Sequence, residues 1–392
     1  VLCDGGEGAT LSGVVSIPSG SLPLANAIVY IPNGPVGPMM SGASCSRCDE
    51  GLSGNPILQT TTDLTGSFTL HDVPSGPNIP LVVQVGKWRR QVLLPQVASC
   101  SSNKVDPDLT RLPRNQGEGD IPKIALTTGG ADALECLMRK IGIDDSEFTP
   151  ETGTGRVNLY NGVDGVDHYI PTLNNGATFT PAPTFWGQLS NLQNYDILVL
   201  ACEGAQVQTN KPPAALQAML DYLNMGGRVY ASHWHNYWVE YGPDPMPYVA
   251  VFNIRDDPPD PITALIDTST AGGASLAAWL VGVGGSAENG QLTLSQAKDT
   301  IQVINPMLAQ QWITIPSYQS VQFMSFNTPI GADEKDQCGR MVLTDIHVAS
   351  DPLTDPFQAF PTECQSTSLS PQEKALIYML FDLSSCLQPV IG

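Results

Sequence analysis

The chain has 392 residues, 42% of them apolar and only 14% charged, with 37 glycines, 33 prolines and a net charge of −20. Such a charge leaves no basic stripe to neutralise phosphates, which excludes nucleic acid as a partner, and no apolar run approaches the roughly 18 residues that cross a membrane. The length sets an expectation of more than one domain, and the acidity is uneven, because residues 122–392 hold 28 of the 38 Asp/Glu but 11 of the 18 Lys/Arg.

Residues 9–95 alternate and turn as an all-β module. "ATLSGVVSI" and "NAIVYIP" are β-branched runs, and "TTTDLTGSFTLHDVPSG" carries an Asp-Leu-Thr-Gly turn between two strands. "PLVVQVGKWRRQVLLP" then supplies two runs either side of a glycine. Gly13-Val14-Val15, "PLANAIVYI", Thr62-Asp63 with Gly66-x-Phe68-x-Leu70, and Val73-Pro74-x-Gly76 together resemble the carboxypeptidase regulatory-like domain. That resemblance implies a small transthyretin-like β-sandwich over residues 1–105, an accessory module of secreted bacterial proteins without chemistry of its own. The loop through Cys45 and Cys48 departs from the family pattern.

The polar, Pro/Gly-rich stretch 106–122 reads as a linker. From Lys123 onward the pattern changes to strand–loop–helix. "KIALTTGG", "RVNLY", "YDILVLAC", "GRVYAS" and "GRMVLTDIHV" are strands. "ADALECLMRKIGI" and "PPAALQAMLDYLNMGG" are helices, the second opened by proline and stopped by Gly226. "SPQEKALIYMLFDL" has a capping box in Ser370 and Glu373. This alternation predicts an α/β domain over 123–392 with a mostly parallel, flavodoxin-like sheet, interrupted by an irregular insertion at about 240–337.

The order "YDILVLACEG", helix, "GGRVYASHW", then "GRMVLTDIHV" and a closing helix resembles the class I glutamine amidotransferase-like fold, and within it the ThuA-like group. Activity in that fold requires a cysteine on a tight strand-to-helix elbow, with a histidine and an acid. The resemblance places the elbow near Ser232 and His233, without a cysteine, and the family histidine at His347, with Ala349 where the acid belongs. It implies the scaffold without the amidotransferase reaction.

"YASHWHNYW", residues 230–238, is the densest chemical patch. His233, His235 and His347 follow strands and stand to share one sheet edge, where three imidazoles could hold zinc with one position open. The bland alternative packs Trp234, Tyr237 and Trp238 over the edge while the histidines satisfy carbonyls; a third treats exposed rings as a sugar platform. Cys202 and Glu203, one strand earlier, complete the candidate ligand pocket. No cofactor is expected; zinc is left open there, and calcium at the Asp-rich loops around Asp164, Asp167, Asp256, Asp257 and Asp260.

Nine scattered cysteines with a single Cys-x-x-Cys pair read as disulfides of an oxidising compartment. Cys3 and Cys100 bracket the β-module, Cys45–Cys48 can close locally, Cys338 and Cys364 flank the last strand, and Cys136 reaches Cys386 if the first and last helices are neighbours, which leaves Cys202 free. The opening "VLCDGG" reads as a mature chain whose export signal has been removed. The expectation is a secreted or cell-surface bacterial protein with a binding or structural role and self or other surface proteins as partners, carbohydrate being a further candidate. Polymerisation through the Lys87/Arg89/Arg90 edge and the acidic domain is one form this could take. The rival is a ThuA-like or amidotransferase-like hydrolase acting on a sugar or amide.

Overall fold

The computed structural model describes residues 8–45, 51–348 and 358–387, in two compact units. The first is built from residues 8–40, 51–121 and 141–144, the second from 41–45, 122–140 and the chain beyond 145. No helix among the described residues is long and apolar enough to cross a membrane.

The first unit carries a three-stranded sheet, Ser67–Val73, Ala9–Val14 and Ser102–Lys104, and a four-stranded one, Pro56–Thr61, Ile28–Pro32, Gly76–Val85 and Trp88–Val97. Ala9, Leu11 and Gly13 are buried while the residues between them are half-exposed, the period of two that a one-sided strand requires. The Asp-Leu-Thr-Gly turn is held by Asp63, whose Oδ1 accepts from the Thr65 and Ser67 amides. Gly66 closes it at φ +73°, where a Cβ would lie 2.4 Å from the Val15 carbonyl oxygen.

Two expectations for this unit fail. The stretch 106–121 is packed instead of linking: it holds the Pro107–Thr110 turn of helix and buries Thr110, Leu112 and Ile121. Nor is the basic edge available for docking. Arg89 is buried and grips Asp120 (2.7 Å) and the Gly37 carbonyl (2.7 Å), Arg90 donates to the Asp108 and Arg111 carbonyls, and Trp88 is fully buried. The arginines there satisfy local carbonyls and one carboxylate.

The second unit is organised on one sheet. In order, Thr180–Pro181, Val157–Asn161, Ile124–Thr127, Ile197–Leu200, Arg228–Ser232 and Gly339–Thr344 run parallel. Ser320–Thr328, Gln310–Ile315, Ile262–Ile266 and Gln291–Leu294 extend it antiparallel. Every residue of Ile124–Thr127, Ile197–Leu200, Arg228–Ser232 and Gly339–Thr344 is buried, as sheets covered on both faces demand. The 240–337 region, expected as an irregular insertion, thus supplies most of the antiparallel half of the sheet. Helices Leu134–Ile141, Pro213–Asn224, Ala271–Gly282 and Pro371–Ser384 pack around it, the last with both capping-box hydrogen bonds formed. Ile124–Thr127 has its chain successor on one side and Ile197–Leu200 on the other, so the strand order reverses there and leaves a crevice beyond the carboxyl ends.

The disulfides also differ from the expected scheme. Cys45 bonds Cys338, not Cys48, and Cys136 bonds Cys364, so neither Cys338–Cys364 nor Cys136–Cys386 forms. Cys100 and Cys386 are disulfide-bonded as well, and Cys202 is a free, buried thiol. The expected partners Cys3 and Cys48 lie outside the described residues.

Non-reducing peptide mapping should return Cys45–Cys338 and Cys136–Cys364 peptides, and Cys338→Ser should lower the unfolding free energy by about 2–5 kcal/mol. Arg89→Ala should cost roughly 2 kcal/mol in denaturant unfolding, because it removes charged hydrogen bonds from a buried guanidinium. An unchanged midpoint would refute that role.

Candidate functional site

Three parallel strands leave the sheet side by side. Leu200 pairs with Ala231 and Ser232 with Thr344, so the segments that follow, Ala201–Glu203, His233–Asn236 and Asp345–Val348, emerge together at the carboxyl edge. At Ser232 the chain turns abruptly into a 3₁₀ turn, His233–Asn236, and then into Tyr237–Glu240. His233 sits on the bend with φ +39°, a left-handed conformation that costs a non-glycine residue about 1–2 kcal/mol. It therefore marks the bend between strand and turn.

A buried carboxylate holds the bend. Ser232 Oγ donates to Asp132 Oδ2 (2.5 Å) and the Val348 amide donates to Asp132 Oδ1 (2.9 Å), joining the loops after Ile124–Thr127, Arg228–Ser232 and Gly339–Thr344. Burial pushes the Asp132 carboxyl up to about 6, against the pull of these hydrogen bonds. Asp345 holds the segment that leads into the strand Ile301–Ile304, accepting from the Thr300 hydroxyl and amide (2.7 Å each), and burial likewise raises it to about 6.

Of the six candidate pocket residues, the structure brings Cys202, His233 and His347 together, with their donor atoms within 4.8 Å of one another. Cys202 Sγ lies 3.5 Å from His233 Nδ1, and the two imidazole centroids are 5.2 Å apart. Burial drives the Cys202 thiol up to about 12 and the His347 imidazole down to about 3, and it lowers His233 well below the usual histidine range. All three groups are neutral at pH 7. Trp234, half-buried, lies against His233 with centroids 4.5 Å apart and the rings tilted by 34°.

His235 and Glu203 do not join them. His235 Nε2 bonds the Ala201 carbonyl (2.9 Å) and Nδ1 accepts from the Trp238 indole (3.0 Å), so both ring nitrogens are used in packing. Glu203 Oε2 takes the buried Lys211 ammonium (2.5 Å), whose cation also lies over Trp186, while Oε1 accepts from the Val163 amide. Ala349 falls outside the described residues. Of the Asp-rich loops, Asp167 binds His168 (2.7 Å) and Asp260 accepts from the Gln296 amide.

Above the cluster lies a cavity of about 280 Å³, lined by His233, Trp234, His347, Arg255, Asp257 and Lys298 among others. Lys298 pairs with Asp257 (2.6 Å) and Arg255 with Asp299 (2.8 Å), so its charged lip is internally matched. Sequence reasoning missed Asp132, Asp345, Arg255 and Lys298 as parts of this site. Only the "DIH" run held a signal, an acid two residues before the matched histidine. A larger cavity of about 610 Å³, lined by Lys123, Glu151, Arg156, Tyr160 and Tyr195 among others, lies elsewhere in the unit and holds neither histidine nor cysteine.

No family model matches the sequence, and no curated protein matches it. Among solved structures, a putative ThuA-like protein from Bacteroides uniformis aligns over 66% of this chain and 88% of its own, at 10% identity and a TM-score of 0.29. A type II cohesin–X-dockerin complex from Acetivibrio cellulolyticus aligns over 35% and 85%, at 14% identity and 0.19. An exo-β-1,4-mannosidase from an Opitutaceae bacterium aligns over 58% and 32%, at 9% identity and 0.25. All three fall far below the likeness at which two folds count as the same.

The buried carboxyl gives a pH signature of defined sign. Because Asp132 holds its proton in the folded state to a higher pH than when unfolded, its contribution to stability is present below about pH 4 and lost as pH rises through about 6. The buried histidines act in the opposite sense, so the variant isolates the effect. Asp132→Asn should gain on the wild type by roughly 2–3 kcal/mol between pH 3.5 and pH 7. Parallel stability curves would contradict the assignment.

Proposed function

We propose that this is an exported or cell-surface bacterial protein that binds a ligand at the carboxyl edge of its parallel sheet and does not transform it. The observation that carries this reading is the elbow itself: an imidazole, His233, stands where an amidotransferase-type nucleophile would project. The nearest thiol, Cys202, is buried, and that burial raises its pKa to about 12, which disfavours the thiolate an attack needs. The disulfides are compatible with an oxidising compartment.

A carbohydrate suits the cavity best. Trp234 offers a ring face, while the paired Lys298–Asp257 and Arg255–Asp299 offer donors and acceptors without a net charge to neutralise. Self-association belongs to the same proposal, resting on the outer strands of the four-stranded sheet, where Ile57 and Leu93 are exposed.

The test is tryptophan fluorescence and calorimetry against a panel of neutral oligosaccharides. Saturable binding without release of new reducing ends, weakened at least tenfold by Trp234→Ala, is the expected result. Cleavage of any panel member, or covalent capture of Cys202 by a glutamine-mimicking electrophile, would establish the hydrolase instead. No binding anywhere in the panel would overturn the carbohydrate assignment. A strict monomer by sedimentation at low salt would remove self-association.

A further inference from the structure

We propose that Cys202, His233 and His347 form a three-ligand site for a divalent cation of the zinc class, with its fourth position open to the cavity above. The inference concerns the metal alone and stands whether or not that cavity takes a saccharide.

The fold supplies the donors. They come from three adjacent strand ends, fixed by the register that pairs Leu200 with Ala231 and Ser232 with Thr344. A tetrahedral zinc ion with bonds of about 2.3 Å to sulfur and about 2.0 Å to nitrogen holds those two ligands roughly 3.5 Å apart. Cys202 Sγ and His233 Nδ1 are 3.5 Å apart before any ion enters. The third donor, on His347, lies within 4.8 Å of both, so a shift of about 1 Å completes the triangle.

A second observation points the same way. His347 is buried, and its Nε2 has no hydrogen-bond partner among the described residues. A buried nitrogen left without a partner is costly, and a metal ion bound through it would relieve that cost. His235, by contrast, has both nitrogens satisfied by the protein. The neighbouring histidines therefore differ in kind: one ring is finished and the other is not.

The donor set selects the ion. One thiolate and two imidazoles suit zinc, cobalt or copper, whereas magnesium and calcium require oxygen. The carboxylates that could make a harder site, Asp132 and Asp345, are occupied by Ser232, Val348 and Thr300. Binding transfers the Cys202 S–H proton to water as the sulfur–metal bond forms, with no change of oxidation state for zinc. The other such grouping among the described residues, Cys136, Glu363 and Cys364, is spent, since its sulfurs are joined in a disulfide.

The experiment loads chelator-treated, unreduced full-length protein with Zn²⁺ and with Co²⁺ as separate probes. X-ray absorption of the zinc form is expected to show one sulfur and two imidazole nitrogens, and the cobalt form a thiolate-to-metal charge-transfer band at one ion per chain. Cys202→Ser and His347→Gln should each weaken binding at least tenfold, while His71→Ala, an exposed site in the first unit, should not. Circular dichroism melts without metal establish that the variants fold. An all-oxygen shell, the signature of zinc on the acidic surface, would overturn the proposal. So would failure of the wild type to bind, or undiminished affinity in a folded Cys202→Ser protein.

Discussion

The in-register parallel pairing of Arg228–Ser232 with Ile197–Leu200 on one side and Gly339–Thr344 on the other is the constraint on which the second unit rests. Side chains alternate across a sheet, so a slip of one residue would send every one of them to the opposite face. Cys202, His233 and His347 stand two, one and three residues beyond their strands; only this register lets them converge. The opposite ends of the same strands do different work. Arg228 donates to the Cys338 carbonyl, Arg340 reaches Asp382, and Cys338 is bonded to Cys45. One edge of the sheet is clamped, and the other gathers Cys202, His233 and His347.

The scarcity of charge in the composition has a counterpart in where the charges go. Lys211 with Glu203 and Lys140 with Glu373 are ion pairs withdrawn from solvent, and Arg89 is buried against Asp120. Desolvation makes such pairs poor sources of net stability, yet removing one partner strands the other. They fix geometry. Lys211 pins the loop after Ile197–Leu200 and so settles where Cys202 sits.

Much of this was legible in the chain. Continuous apolar runs announced the parallel strands, Ser370 and Glu373 announced the closing helix, and His347 was placed on the right edge. The failures have physical causes. His233 and His235 are two apart, a spacing that shares a side only in an extended chain; the 3₁₀ turn begins at His233 and sends them apart. The Cys202–His233 contact depends on strand register, which no local pattern encodes. Ser320–Thr328 buries all nine of its residues, including the polar Gln322, Ser325 and Asn327. Ser325 is buried because its hydroxyl takes the Trp312 indole proton. Cys45–Cys48 and Cys338–Cys364 were paired by closeness in sequence and Cys136–Cys386 by an expected neighbourhood of helices, and none of these matched the actual closeness in space.

The two units are interleaved along the chain: residues 41–45 belong to the second, although the first continues on both sides of them. On a ribosome this sets a timetable. Cys45 is made 293 residues before the sulfur it must join, and an earlier wrong partner is available at every cysteine in between. An oxidising environment that closed bonds as fast as they were offered would trap such errors. Correct pairing therefore requires that Cys45 stay unpaired until Cys338 is made or that a wrong bond be exchanged afterwards, and no single cut through the backbone yields either unit whole.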